Sequence, residues 1–419
     1  MHKRITRRQM LTALAMTAAG MGLAGISRLL DIPVTDAQGA QAKVFLPLVT
    51  KPQSTPTATA TATRAPATAT ATATSGVPPT MRGRVIHIRS LTATTWTGSP
   101  SNYWDYVNTS KVNEMVNRGV MELTGRGTVA DAWRALLPNY QAGQKIAIKV
   151  NFNNQMSISS CSANGTAIDA IIEPVNAIVN GLAQIGVAAG NIWVFDAMRK
   201  MPNRFVSRGV TGVQYYDNGE CRQSLGFGST VTFSPPAGVP PPTERISTVL
   251  AQATYLINMP IMKNHSCTGV TLGFKNHLGS IDDPGGMHYN AFLLESGCGG
   301  TGGYRTNYNV LVDLYRHANI GPKTILTVGD GLFACIYQEN LPPQMWTTFG
   351  NRTPQSLYFA VDPVAIDCVM CDFLAAESGD RAGADNYLRL ASNAGLGVFE
   401  RGNPWTTGYS SITYRKFDI

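Results

Sequence analysis

From residue 83 onward this chain alternates short strand-like runs with helix-like ones, and nothing else in the sequence restricts its fold as much. Arg84–Arg89, Lys145–Val150, Asn191–Phe195, Thr254–Asn258, Thr324–Val328 and Ser356–Val361 are rich in β-branched and apolar residues and read as strands. Between them Lys111–Leu123, Thr128–Leu137, Glu173–Ile185, Tyr308–Ala318, Pro363–Ala376 and Asp385–Ala394 repeat apolar residues at helical spacing. A parallel neighbour can be reached only by a crossover that packs on a sheet face, so this alternation predicts a mostly parallel sheet. The fold class is therefore α/β: a sheet flanked by helices, Rossmann-like and doubly wound. The helix Glu173–Ile185, closed by Gly186 and feeding Asn191–Phe195, is one such unit. Two stretches break the pattern. Residues 198–250, rich in Gly, Pro and Ser, read as an irregular insertion with a hairpin near Ser229–Ser234, and residues 279–307 read as a glycine-rich ligand loop or lid.

The amino-terminal part cannot belong to that sheet. Arg7 and Arg8 precede an uncharged apolar run, Leu11 to Ile26, which is the pattern of a twin-arginine signal, here assigned to residues 1–42. Its 16 residues are marginal for a hydrocarbon core of roughly 30 Å, although an uncleaved anchor stays open. Residues 43–79, mostly Thr, Ala and Pro, have too few large apolar side chains to offset ordering, so they read as a disordered linker, either a plain spacer or a surface stalk. One α/β domain then occupies residues 80–419. The expected location is outside the cytoplasm, secreted or tethered to the cell surface.

Charge and motifs remove several functions. Signal and linker carry six of the eight net positive charges, so the folded part has no basic footprint for nucleic acid. No G-x-S-x-G elbow, phosphate-binding Walker loop or H-E-x-x-H helix is present. Seven cysteines make an odd count, and none has four-cysteine iron–sulfur spacing. Cys368-x-x-Cys371 lies in an apolar helical run and fits core cysteines one turn apart, with a redox or metal pair as the other reading.

The densest chemistry lies between Asn258 and Gly279, which reads as a loop leaving the carboxyl end of a strand, the default ligand crevice of a parallel sheet. Lys263, His265, Lys275, Asn276 and His277 supply cations, amides and imidazoles, and interspersed glycines let backbone amides approach an anion. Lys149, Asn151 and Asn153 close another strand end, and Asp330 and Asp362 follow two more; each suits a ligand-binding role, with turn formation the competing reading for the asparagines. Asp196 reads equally as a functional carboxylate or a turn former, and Asp367, inside a helical run, as a local helix partner.

Lys149-Val-Asn151, Asn258-Met-Pro260, Lys263-x-His265, Gly269-x-Thr271-x-Gly273-x-Lys275-Asn276-x-x-Gly279, Asp330-Gly331 and Asp362-Pro-Val-Ala-Ile-Asp367 together resemble domain of unknown function family 362, over roughly residues 84–400. Many members of that family carry a ferredoxin-like segment, which this chain lacks. His265-x3-Gly269-x-Thr271-x-Gly273-x-Lys275 is also similar to the loop of nickel-pincer lactate racemases. That resemblance implies His265 as acid/base, Lys275 as the lysine joined to a nickel-bearing nucleotide, and His277 or His288 as a nickel ligand. The expectation is a cofactor- or anion-binding enzyme doing redox or acid/base chemistry next to a carboxylate, with a nickel-pincer-type nucleotide or a metal ion as cofactor. A small anionic molecule is the expected partner, and the membrane is met only through an uncleaved signal. The alternative is a surface-tethered, non-catalytic module that holds a small anion.

Overall fold

The computed structural model describes residues 81–154, 158–266, 268–285, 287, 304–336, 341–379 and 382–419. The signal, the linker, Cys267, His288, Cys298 and most of the glycine-rich stretch lie outside these residues. In chain order the elements that place the site are β1 (Arg84–Arg89), α1 (Thr109–Thr124), α2 (Val129–Leu136), β2 (Ile146–Lys149), α3 (Ile172–Ala183), β3 (Ile192–Phe195), β4 (Gln214–Tyr216), β5 (Phe227–Thr230) and β6 (Arg245–Ser247). There follow β7 (Tyr255–Asn258), β8 (Ile261–His265), β9 (Gly269–Thr271), α4 (Gly273–Asn276), α5 (Val310–Arg316), β10 (Thr324–Cys335), β11 (Ser356–Ala360), α6 (Pro363–Ser378), α7 (Ala382–Asn393) and β12 (Thr413–Asp418).

The main sheet runs β12-β1-β11-β10-β7-β2-β3-β4. Its half from β10 through β7, β2 and β3 to β4 is parallel throughout, and β1 is parallel to β12. Only β11 runs against its neighbours β1 and β10 along this path. The alternation read from the sequence thus yields a mostly parallel, Rossmann-like sheet with helices on both faces.

Strand side chains divide by their period of two. Ala147 and Leu256 join one core, which contains most of α6, while Ile146, Ile148 and Ile257 join the other, which contains the buried stripes of α1 and α3. Helix α6 is buried continuously from Pro363 to Ala375, including Cys368 and Cys371, so those two cysteines lie inside the packed core. The helices start where polar caps allow them to. Asn108 accepts from the Lys111 amide and Thr128 from the Asp131 amide, which satisfies donors that have no partner within a helix.

The winding of the sheet fixes where a ligand can sit. From β2 the chain steps outward to β3 and then β4, returns, and lays β7 on the opposite side of β2. The direction therefore reverses between β2 and β7, where Lys149 and Asn258 are register partners at the carboxyl ends. Connections leave such a switch point in opposite directions and open a crevice.

Two expectations need correction. Residues 198–250 are only partly an insertion, because β4 completes the edge of the main sheet and β5 pairs with β6 rather than closing a tight hairpin within Ser229–Ser234. Within residues 258–279, β8 pairs antiparallel with β9, the α4 turn follows, and β8 also pairs with the far half of β10. The physical reason is that Lys263 and His265 are buried on a strand, so their polarity imitates a loop. A disulfide, left open by the sequence, joins Cys161 to Cys221.

Candidate functional site

A cavity of about 180 Å³ opens at this switch point. Lys149, Asn151, Asp196, His265, Lys275 and Asn276 line it, together with Asn153, Arg199, Thr271 and Gly279. They come from the ends of β2 and β3, from both strands of the hairpin and from α4, so crossover topology, and not proximity in sequence, brings them together.

Lys149 is fully buried, with Nζ 3.3 Å from Asp196 Oδ2, and it also donates to Val150 O at 2.5 Å and Asn276 Oδ1 at 3.5 Å. Three acceptors match the three protons of an ammonium. Desolvation pushes the Lys149 ammonium below its ordinary range, opposed by the Asp196 charge. Asp196 is in turn held by the amides of Phe152 at 2.9 Å and Met198 at 3.1 Å. A Cβ on Gly279 would stand 2.6 Å from Lys149 Nζ and 2.9 Å from Asp196 Oδ1, so only glycine lets the chain pass this pair.

Three asparagines knit the adjoining wall. Asn276 donates to Asn258 Oδ1 at 2.8 Å and accepts from Asn151 Nδ2 at 3.1 Å, while Asn258 donates to Gly273 O at 2.9 Å. Opposite register positions place Thr271 across from Lys263, and Gly269 across from His265. The Thr271 hydroxyl is buried and has no hydrogen-bond partner among the described residues, an orphan that a bound molecule would satisfy. Arg199 donates to Asn153 Oδ1 at 3.1 Å and to Met198 O at 3.2 Å, both neutral acceptors.

Other expected site residues stand elsewhere. Lys263 is buried and donates to Asn154 Oδ1 at 3.2 Å, outside the lining. Asp330 is buried near the point where β10 changes partner from β7 to β8, and desolvation, with the Glu173 charge adding, pushes it up to about 7. Asp362 caps α6: it accepts from the Val364, Ala365, Gly83 and Val398 amides, which occupy both oxygens. His277 does not line the cavity. Its Nδ1 is 3.2 Å from Ser280 Oγ, its ring meets the Tyr315 edge, and burial, with Lys149 adding, holds its pKa down at about 3. An imidazole so placed is neutral and faces the core, and among the described residues no group of three His, Cys, Asp or Glu side chains could hold a metal ion.

Sequence reasoning did not single out Arg199. The available signal was its place just beyond Asp196, at the strand end next to Lys149 in the sheet, which only the pairing of β2 with β3 makes meaningful.

The lining brings together three basic side chains, Lys149, Arg199 and Lys275, with a hydroxyl that has no partner among the described residues, side-chain amides and one imidazole around the same hollow. Such a set can hold an anion and move a proton. The family model described as "Domain of unknown function (DUF362)" matches residues 146–372, which include every residue of the cavity lining. No curated protein matches the chain.

Proposed function

The chain belongs to the DUF362 family, a domain of unknown function, and from that premise we propose that it is an exported enzyme for a small anionic substrate. Arg199 and Lys275 hold its carboxylate or phosphate, and His265 passes a proton to or from the adjacent atom. The observation that carries this reading is that His265, Lys275 and Arg199 line one cavity at the β2/β7 switch point. Guanidinium and ammonium groups bind carboxylates and phosphates by charge-assisted hydrogen bonds, and a poised imidazole is the commonest proton carrier near neutral pH. The volume, about 180 Å³, is below the roughly 300–1,000 Å³ of pockets for drug-sized molecules, which favours a compact substrate.

A nickel-bearing nucleotide joined to Lys275 does not fit the described residues. Of the two imidazoles that the racemase resemblance offers as nickel ligands, His277 is turned away from the cavity and packed on Tyr315, and His288 lies outside the described residues. No step is assigned to such a group.

Calorimetric titration with inorganic phosphate and with two- to four-carbon carboxylates tests the binding half. Arg199→Ala and Lys275→Ala should each weaken the best ligand about tenfold or more, roughly 1.4 kcal/mol. Proton NMR in deuterium oxide tests the chemistry: exchange at the carbon next to a bound carboxylate should occur and vanish in His265→Ala while binding persists. Absence of any binding by the unaltered protein would reject the whole reading, and binding with no exchange would leave a non-catalytic anion holder.

A further inference from the structure

Asp367 sits on the second turn of α6, fully buried and outside the cavity lining, yet its contacts lead straight to the site. Its Oδ1 accepts from the Gly273 amide at 2.8 Å and its Oδ2 from the Phe274 amide at 3.1 Å, the first two residues of the α4 turn. That turn is four residues long and ends with Lys275 and Asn276, both in the cavity wall. A turn this short has no cooperative stability of its own, so its orientation has to come from outside. The Tyr387 hydroxyl of α7 donates to the same Oδ2 at 3.2 Å and holds the carboxylate in place. The approach is also sterically exclusive, since a Cβ on Gly273 would lie 2.8 Å from Asp367 Oδ1.

We propose that Asp367 is the positioning residue of the site, a carboxylate on a core helix that grips the α4 turn by its first two amides and so sets where Lys275 and Asn276 stand. This rests on the reading of Lys275 as an anion-binding group, but the grip itself is a property of the fold. A neutral amide at position 367 accepts with one oxygen only and presents donors to a second N–H, so at least one of the two backbone bonds is lost. Asn276 carries the consequence further, because its amide bonds Asn258 and Asn151 at two other strand ends.

The test measures the reactivity of the Lys275 amine in the full chain. The protein is treated briefly with a small amine-acylating reagent, and labelling of Lys275 relative to Lys111 on α1 is read by peptide mass spectrometry. In Asp367→Asn that ratio should rise threefold or more, while a cooperative thermal transition shows that the protein is folded. Where Asp367→Asn does not fold, Tyr387→Phe decides instead: it keeps the ring and the carboxylate, and should raise the ratio in the same direction by a smaller factor. A folded Asp367→Asn with an unchanged ratio, or an unchanged ratio in Tyr387→Phe where that variant decides, would overturn the proposal. Phosphate titration of the same samples separates the two levels. A changed Lys275 ratio in a protein that binds no anion, altered or not, would reject the function proposed for the site and leave the positioning role intact.

Discussion

Asp330 is a buried carboxylate whose hydrogen bond from a described residue comes from the Leu332 amide at 3.0 Å, and among the described residues it has no ion-pair partner. Burial therefore pushes it up to about 7, and the nearby Glu173 acts in the same direction. A folded-state value above the unfolded one means that the native protein binds the extra proton. The resulting stability is present in full below about pH 4 and is lost as pH rises through 7. Asp330→Asn keeps an oxygen for the Leu332 amide and removes the charge. Urea denaturation should find the variant's advantage over the parent larger at pH 8 than at pH 5 by on the order of 2–3 kcal/mol, two units of the folded-state shift. An equal difference at both values would show that Asp330 is already ionised in the folded protein at pH 5, so that burial does not raise it. The same residue illustrates how position misleads: an acid after a parallel strand looks like an active-site group, but here β10 continues past it to pair with β8, and the side chain stays in the core.

Asp362 shows the parallel problem for whole elements. From sequence it stands at a strand end and suits a ligand, but it also precedes Pro363 at the start of a helix, and the capping role is what its contacts express. Because it serves four amides from three separate segments, Asp362→Ala should cost more than a simple cap, about 3 kcal/mol or more, with phosphate affinity changed less than twofold where the protein folds. A tenfold loss of affinity in a folded variant would return Asp362 to the site. The strands and helices with clean apolar periods were legible: the six strand segments and six helical segments read from sequence all occur, with β10 longer than its apolar start suggests. What escaped was β8, whose buried lysine and histidine look solvent-loving, together with its hairpin partner β9, the three-residue β4 on the edge beside β3, and β12, which owes its existence to β1 far back along the chain. For the cavity, the Asn258–Gly279 motif marked His265, Lys275 and Asn276, and the Lys149–Asn151 strand end marked its own pair. Arg199 and the grip of Asp367 depend on pairings that no local pattern encodes.

On the scale of the molecule, the proposed export route and the disulfide pull on the same question. A twin-arginine signal delivers protein that is already folded, so on the proposed route the sheet and both cores would form in a reducing compartment, where disulfides do not persist. The Cys161–Cys221 bridge spans 60 residues, which include β3, β4, Asp196 and Arg199, between a segment that follows β2 and one that follows β4. In the loop-entropy picture a closure of that length is worth about 4 kcal/mol at most, and it acts chiefly on the unfolded chain. The fold and the cavity should therefore exist without it, and stability should increase only after oxidation. Replacing both cysteines by serine is expected to leave a folded protein that binds phosphate as the parent does. Its free energy of unfolding in urea should be lower by up to about 4 kcal/mol, and a reductant should lower the parent to the same value. If the double variant fails to fold, the sheet depends on oxidation, and folding ahead of export by this route is ruled out for this chain.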